Sequence, residues 1–411
     1  MFALALAPLR AREFRLLLAA RTVSLLGTAM APVGLAFAVL QATGRVGDLG
    51  LVLAAQSGAM LLVLPIGGVL ADRRPRRQVL LTADCVSALA QGLTTAAVLA
   101  GGRSIVALAV LQAAVGASRG FAFPALTGLV PQTVPEAARQ QGNALVGLTR
   151  NTTSLLGGPL GGLLAVVASP AAALAVDAAS YAISASCWYR LPVIAGGATR
   201  DGMLADLREG WNEFRSRTWL WAIVVQFAVV VGVGAAAFDV LAPVVARDRL
   251  GGASAFGVIL GAEALGAIAA GVTALRVSFR RSLLVGTCGT LLLVPELLLM
   301  AWSSSLPVIC ISAAAAGAGM GLFGVLWTTA LQDLVPPDVL SRVSSYDALG
   351  SFALLPVGLA LMGPLVQVAG VTGALITGAV GTLIPTLAVL AVHDVRRPTA
   401  ELRPLPVPAA T

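Results

Sequence analysis

A short charged segment between two long apolar runs constrains the fold of this chain most strongly. The segment is Gly68–Arg77 (GVLADRRPRR), and the apolar runs are residues 49–70 and 79–100. Each run is long enough to cross a ~30 Å hydrocarbon layer as a helix. Five charges in ten residues cannot lie in lipid, and the four arginines favour the cytoplasmic side. The segment therefore predicts a tight cytoplasmic turn between two membrane helices.

The composition excludes most classes of soluble protein. The chain is 58% hydrophobic and only 11% charged over 411 residues, whereas soluble domains have roughly 25% charged residues. Its net charge of +8 comes from 27 basic residues, all arginine. Because these arginines are scattered in short turns, they indicate membrane orientation rather than binding to nucleic acid.

The residue types also disfavour catalysis. A Walker-type phosphate loop needs a lysine, and the chain has none, so it is not by itself the ATPase of a pump. One histidine and scattered acids provide no cluster of nucleophile, base or metal ligands. We therefore expect no enzymatic activity, no metal site and no cofactor other than a proton gradient.

A hydropathy window of about 19 residues predicts twelve membrane helices, and hence an all-α membrane protein. The spans are 14–40, 49–71, 78–100, 104–129, 142–168, 170–191, 218–243, 253–275, 282–302, 306–331, 343–368 and 370–393. With both termini cytoplasmic, the outer loops contain only Arg45, Arg103, Arg247 and Arg249, and most other arginines lie inside. The opposite orientation would violate the positive-inside rule.

The longest polar break lies near the middle of the chain and divides it into two halves. We predict an N-terminal six-helix bundle (1–191), a cytoplasmic linker (192–217), a C-terminal six-helix bundle (218–393) and a disordered cytoplasmic tail (394–411). In the linker, apolar residues recur at helical spacing, which predicts an amphipathic helix on the inner membrane surface. A partner-binding role for this helix is the alternative. The recurring residues are Leu204, Leu207, Trp211 and Phe214.

The two halves resemble each other in sequence. Leu129-Val-Pro131 corresponds to Leu334-Val-Pro336, and Gly158-Pro159 corresponds to Gly363-Pro364, at a spacing close to half the chain. Two parallel six-helix repeats are typical of secondary transporters that bind substrate at mid-membrane between the halves.

These residues resemble a known family. Gly68-x-x-x-Asp72-Arg73-x-x-Arg76-Arg77 resembles the loop 2–3 signature of the major facilitator superfamily, and Gly158-Pro159-x-Gly161-Gly162 is similar to a shortened form of its antiporter motif. Together with Asp177-Ala-Ala-Ser-Tyr181, the pattern resembles the drug-efflux branch that includes macrolide and siderophore exporters. The resemblance implies two pseudo-symmetric six-helix bundles and alternating access. It also implies gating or latch roles for Gly68, Asp72, Arg73, Arg76, Arg77, Gly158, Pro159, Gly161 and Gly162. Close helix packing is the alternative role for the glycines.

The chain departs from this branch in the first helix. The branch often has an acid just after Ser-Leu-Leu-Gly27, where this chain has Thr28. The resemblance therefore implies that the proton-coupling residue lies elsewhere.

Seven ionisable residues lie well inside the predicted spans. They are Arg21, Asp84, Arg119, Arg150, Asp177, Glu263 and Glu296. Each costs about 2.5–3.5 kcal/mol at mid-membrane if it faces lipid, so we expect these residues to face a wet cavity, to pair, or to lie at helix ends. All but Asp84, an expected structural acid, are candidates for proton coupling or for the charge of the cavity. Helical spacing adds the candidate substrate-cavity residues Thr28, Gln112, Asn143, Ser154, Tyr181, Ser184 and Phe256.

The predicted function is a proton-coupled exporter of bulky, partly apolar small molecules such as an antibiotic, drug or siderophore. We favour Glu263 as the coupling acid because it lies in mid-span on a face of small residues. A nutrient or metabolite importer of the same fold, and a non-transporting membrane receptor or scaffold, are the alternatives. The expected partners are a small-molecule substrate and the lipid bilayer, with no nucleic acid. We expect a monomer in the bacterial cytoplasmic membrane.

The predicted topology is tested with reporter fusions. Fusions after Arg76 and Arg280 are expected to report a cytoplasmic location, and fusions after Arg45 and Arg247 an external one. A fusion within 192–217 serves as the internal check, because an external location for this linker contradicts the twelve-span topology.

Overall fold

The computed structural model describes residues 7–127, 129, 133–135, 139–192, 203–277, 279–336 and 339–397, and these residues contain no β-strand. The helices are α1 (Arg12–Thr43), α2 (Val46–Arg73), α3 (Arg76–Leu99), α4 (Ile105–Thr127), α5 (Arg139–Val167), α6 (Pro170–Arg190), α7 (Met203–Ser216), α8 (Thr218–Leu250), α9 (Ala253–Arg276), α10 (Ser282–Trp302), α11 (Leu306–Leu334), α12 (Leu340–Phe352), α13 (Leu355–Leu390) and α14 (His393–Arg396). The predicted tail thus begins with a short helix, and its residues 398–411 lie outside the described residues.

Nine helical segments in the described ranges are long and apolar enough to cross a membrane. The longest, Arg342–Leu390, has 49 residues and is kinked at Gly370, whose φ of 70° is left-handed. Its length suffices for two crossings at 1.5 Å per residue. Helices α5 and α6, with 29 and 21 residues, are long enough but more polar and lie outside this set. If Arg342–Leu390 crosses twice and α5 and α6 cross once each, the described helices are compatible with twelve crossings. The count of twelve stays a prediction.

Two helices differ from the predicted spans. Helix α8 continues to Leu250 through two π-helical segments, Val230–Ala235 and Ala246–Leu250. We had placed Arg247 and Arg249 in an outer loop because the predicted span ends at residue 243, but they lie in the last helical turn of α8. There the exposed Arg247 pairs with the neighbouring Asp248.

The predicted span 343–368 is divided after Phe352. Pro356 explains the break, because a proline lacks the backbone N–H and its ring clashes with the carbonyl four residues earlier. Helix α12 accordingly ends at Phe352, and α13 begins at Leu355 with the proline in its first turn.

The described helices form two compact units. The first unit contains α1–α6 together with Asp239–Gly261 and Pro356–Gly370, segments that the sequence places in the second bundle. Within this unit α1 packs on α5 and α6, α2 on α4, and α3 on α4 and α6. Small residues allow these close approaches. Gly27 of α1 lies against Ser180 and Asp177 of α6, and Gly116 of α4 lies against the Gln56 carbonyl of α2.

The second unit contains the linker helix α7. Trp211 and Phe214 lie 5.5 and 6.1 Å from the Tyr346 ring of α12. Arg217 pairs with Glu213 and donates a hydrogen bond to the Leu334 carbonyl at 2.8 Å. Part of the apolar face that we predicted to lie on the membrane surface therefore packs on the protein. The side chains of Leu204 and Leu207 lie outside the described residues.

The glycines of the antiporter-like motif form a helix contact within the first unit. A Cβ atom added at Gly158 would lie 2.7 Å from the Leu260 Cβ and 2.9 Å from the Gly257 carbonyl oxygen. A Cβ atom at Gly162 would lie 2.7 Å from the Ala253 carbonyl oxygen, and one at Gly161 would lie 2.8 Å from that of Met30. The motif therefore brings α5 against α9 on one side and against α1 on the other.

We predict that Gly158→Ala destabilises the protein, because the added methyl group overpacks the contact between α5 and α9 by about 1–3 kcal/mol. The matched control is Gly147→Ala in the same helix, where nothing lies within 4 Å of the new atom. Thermal unfolding of the purified protein should show a lower midpoint for Gly158→Ala than for Gly147→Ala. Equal midpoints would show that the helices separate without penalty.

Candidate functional site

A cavity of about 210 Å³ lies among helices of the first unit. We name it the arginine cavity, after Arg21 of α1 and Arg119 of α4. Its other polar or aromatic lining residues include Ser24, Thr28, Asp84, Ser87, Ser118, Phe123, Tyr181, Ser184 and Trp188. Three predicted site residues besides these arginines line the cavity, namely Thr28, Tyr181 and Ser184. Asp177 lies one helical turn from Tyr181 and is not part of the lining.

Tyr181 connects the two sides of this cavity. Arg119 Nε donates a hydrogen bond to the Tyr181 hydroxyl at 3.1 Å. The Thr28 hydroxyl lies 3.0 Å from the same oxygen. Because Tyr181 is buried, these contacts fix the phenol between α1 and α4. Thr28 therefore lies at the same hydroxyl group as the Arg119 guanidinium and contributes a hydrogen-bonding group there.

Asp177 is a buried acid one helical turn before Tyr181 on α6. It is fully buried on α6 and interacts electrostatically with Arg119. Within the described ranges, neither of its carboxylate oxygens has a well-formed hydrogen bond. Thr28 and Gln91 contribute weaker hydrogen-bonding interactions, and the negative charge of Asp177 offsets the positive charge of Arg119.

A second acid, Asp84 on α3, has a structural partner. Trp188 Nε1 donates a hydrogen bond of 2.7 Å to Asp84 Oδ2, as expected for a structural acid. Arg21 interacts electrostatically with Asp84 and with Arg150 of α5. Arg150 itself is exposed on its helix. The charged residues that line the cavity are therefore Arg21, Arg119 and Asp84, whereas Arg150 and Asp177 lie outside the lining.

Gln112, predicted as a cavity residue, belongs to a chain of amides and is not among the residues that line the arginine cavity. Gln56 Nε2 donates to Gln112 Oε1 at 2.9 Å, and Gln112 Nε2 donates to Gln91 Oε1 at 2.9 Å. The same nitrogen lies 3.2 Å from the Thr94 hydroxyl. These bonds connect α2, α3 and α4, which favours a structural role.

The other predicted cavity residues lie apart from this enclosure. Asn143 and Ser154 are exposed on α5 and do not line the arginine cavity. Phe256 is buried at the start of α9, where its ring lies 6.4 Å from that of Phe37.

Two candidate coupling acids lie in the second unit. Glu296 of α10 is fully buried, and neither of its carboxylate oxygens has a hydrogen-bond partner among the described residues. It interacts electrostatically with Glu263 of α9. The Glu263 backbone carbonyl lies against Gly317 of α11, so small residues bring these helices together at the acid. The structure therefore places the two glutamates as neighbours, which their separation in sequence did not indicate.

The residues of the charged loop have different surroundings. Arg77 Nε donates to the Trp188 carbonyl at 2.9 Å, and its guanidinium lies 5.7 Å from the Tyr189 ring. A cation here stabilises the C-terminal end of α6. A Cβ atom at Gly68 would meet nothing within 4 Å. The side chains of Asp72 and Arg73 lie outside the described residues, so the latch role of the loop stays a prediction.

Several polar residues within the helices were missed from the sequence. Asp239 and Asp347 lie near the predicted span ends, and we did not count them among the charges inside the spans. Asp347 accepts hydrogen bonds from Trp327 at 3.0 Å and from Ser351 at 3.2 Å. Gln226 also escaped notice because a single amide in an apolar run gives little periodic signal. Aligning the two repeats residue by residue would have found it, because it occupies the position of Arg21.

Comparison with known proteins identifies the family to which this architecture belongs. A family model described as Major Facilitator Superfamily matches residues 17–346. The enterobactin exporter EntS of Salmonella choleraesuis (strain SC-B67) is 26% identical over 392 residues, which cover 93% of each chain. The multidrug efflux pump Tap of Mycolicibacterium fortuitum is 25% identical over 385 residues, covering 88% of this chain and 93% of the pump.

A solved structure supports the same fold. The crystal structure of a bacterial homolog to the human lysosomal transporter Spinster, in an inward-facing and unoccupied conformation, matches with a TM-score of 0.73. The match covers 97% of this chain and 100% of that one at 13% sequence identity. The predicted all-α membrane fold and the family resemblance are both confirmed. Since the family model spans most of the sequence, this chain belongs to the major facilitator superfamily.

Proposed function

We propose that this transporter exports bulky, partly apolar small molecules from the cytoplasm in exchange for protons. Two six-helix bundles would alternate between inward-open and outward-open states around the bound substrate. Protonation of an acid in the membrane would change the relative stability of these states.

The observation that carries this proposal is the arginine cavity. It lies among helices long enough to cross the bilayer, and it combines charged, hydroxyl and aromatic side chains. Ligand sites typically join an apolar lining to a few placed polar groups. A cavity of this kind among membrane helices is suited to a partly apolar solute.

The direction of transport is supported by two relatives. EntS and Tap are described as exporters, and each matches this chain over nearly its whole length at low identity. The arginine distribution supports cytoplasmic termini, which would place the charged loop at the inner entrance. There Asp72 and its arginines would form a latch that holds one state and opens in the other.

Energy coupling is assigned first to Glu263, with Glu296 and Asp177 as the alternatives. Glu296 is buried without a hydrogen-bond partner among the described residues and interacts with Glu263. Two interacting carboxylates within the membrane repel each other unless a proton or another cation neutralises one of them. Binding and release of one proton by this pair would thus couple to a change in helix packing.

We predict that Glu263→Gln abolishes uphill transport driven by a pH gradient and spares downhill exchange, because the amide keeps the shape and cannot bind a proton. A susceptibility panel in a host lacking its own pumps first identifies a transported compound. Proteoliposomes then report its accumulation under an imposed gradient and its exchange between preloaded vesicles.

The matched control is Glu13→Gln, the same substitution in the first turn of α1, which should retain uphill transport. If Glu263→Gln still pumps uphill, Glu263 is structural and the coupling role passes to Glu296 or Asp177. If wild type confers no resistance and moves no compound of the panel, the export proposal itself fails.

A further inference from the structure

The charges that line the arginine cavity do not balance. Arg21 and Arg119 line it with two guanidinium groups, and Asp84 lines it with one carboxylate. A second carboxylate, Asp177, interacts electrostatically with Arg119 but does not line the cavity. The lining itself therefore has one positive charge in excess. An unbalanced charge inside a membrane bundle is costly unless water or a ligand compensates it.

The charged side chains of the cavity differ in how many hydrogen-bond partners they have. Asp84 already accepts the indole N–H of Trp188, and Arg119 donates through Nε to Tyr181. Among the described residues, Arg21 has longer-range electrostatic partners but no direct hydrogen bond or ion pair. A guanidinium has five N–H donors, so both arginines keep donors for a ligand in the cavity.

The second repeat shows that the architecture does not need these charges. Gly158 and Gly363 are 205 residues apart, and the same offset places Gln226 at the position of Arg21. It also places Thr382 and Thr386 at the positions of Asp177 and Tyr181. The three charged or phenolic side chains of the first repeat thus correspond to an amide and two hydroxyls.

The corresponding cluster in the second unit is neutral and connected internally. Gln226 Nε2 donates to the Thr386 hydroxyl at 2.8 Å and to the Thr290 hydroxyl at 3.2 Å. These buried residues join three helices of that unit with no formal charge. Since one repeat connects its helices with neutral groups, the arginines of the other repeat have a purpose beyond connecting helices.

We propose that the arginine cavity binds the anionic group of the transported molecule, a carboxylate or acidic phenol attached to an aromatic ring. Arg21 and Arg119 would donate to the anion, and Phe123 and Trp188 would contact the ring. One negative charge neutralises the excess. At about 210 Å³ the cavity is smaller than the ~300–1,000 Å³ typical of sites for drug-sized ligands. It therefore takes one ring with its acidic group, and the rest of a bulky substrate extends outside.

This inference rests on the proposed function, because it takes the bound molecule to be the transported one. The test itself measures binding and does not require transport. Three probes of nearly equal shape separate the charge requirement: 4-fluorobenzoate, 4-fluorobenzamide and 4-fluorobenzamidine are anionic, neutral and cationic. Fluorine NMR line broadening with the purified full-length chain in detergent detects even millimolar binding. We expect broadening of 4-fluorobenzoate, reversed by an excess of unlabelled benzoate, and little broadening of the other two probes.

Arg21→Gln tests the residue, because it introduces the side chain that the second repeat already carries. We expect the apparent Kd of 4-fluorobenzoate to rise about tenfold, since a hydrogen bond to a charged group is lost. Arg103→Gln, at an exposed position between α3 and α4, is the control and should leave the Kd unchanged. If Arg21→Gln does not fold, Arg119→Lys keeps the charge and should retain binding that Arg119→Gln loses.

The outcomes separate this inference from the proposed function. Equal broadening of all three probes, preference for the cation, no binding of any probe, or benzoate binding that survives both arginine-to-glutamine changes overturns the anion site. Arginine-dependent benzoate binding by a chain that moves no compound in proteoliposomes supports the anion site and contradicts export. Transport restricted to cations and neutral compounds supports export and overturns the anion site.

Discussion

The free-energy cost of a polar group facing hydrocarbon is the constraint on which the rest of this structure depends. A charged side chain at the bilayer centre costs about 2.5–3.5 kcal/mol on insertion scales, and backbone groups in lipid are satisfied only within helices. The chain meets the second requirement with long helices whose glycines allow backbones to approach. It meets the first by collecting charged side chains inside the units. Arg21, Asp84 and Arg119 share one cavity, and Glu296 is buried beside Glu263.

The same constraint explains the different chemistry of the two repeats. The second repeat connects its helices through Gln226 and two threonines, which carry no formal charge. The first repeat has Arg21 and Asp177 at equivalent positions and encloses a cavity. In the proposed function, substrate recognition is assigned to this charged cluster and proton binding to the glutamates of the second unit. Export of an anion in exchange for a proton moves positive charge inward, so that a membrane potential negative inside would assist it by about 2.3 kcal/mol per charge at 100 mV.

Much of the fold could be predicted from the sequence because membrane helices are recognisable as long apolar runs. The predicted start of 218 for α8 and the span 282–302 of α10 agree with the observed bounds. The break before Pro356 was missed because proline is often tolerated in membrane helices, and hydropathy does not respond to it. The π-helical continuation of α8 to Leu250 was missed because the hydropathy window ended the span at residue 243, before the polar residues of this segment.

The candidate site was less accessible from the sequence. Helical spacing grouped residues on one helix, such as Tyr181 with Ser184, and both line the arginine cavity. It could not show which helices adjoin, so the electrostatic interaction of Glu263 with Glu296 and the contact of Gly158 with Leu260 became visible only in the structure. Nor could spacing distinguish Gln112, which is held in a chain of amides, from a side chain that faces a cavity. Contacts between helices depend on packing of distant segments, which periodicity within one helix does not encode.

Proton flux in proteoliposomes is the most direct test of the proposal that inward proton movement drives export. The purified chain is reconstituted with a pH-sensitive dye in the lumen and supplied with a compound identified by the susceptibility panel. We predict that the compound and protons move in opposite directions, and that a protonophore abolishes uphill accumulation. Accumulation that survives the protonophore, or movement of the compound and protons in the same direction, would contradict proton-driven export.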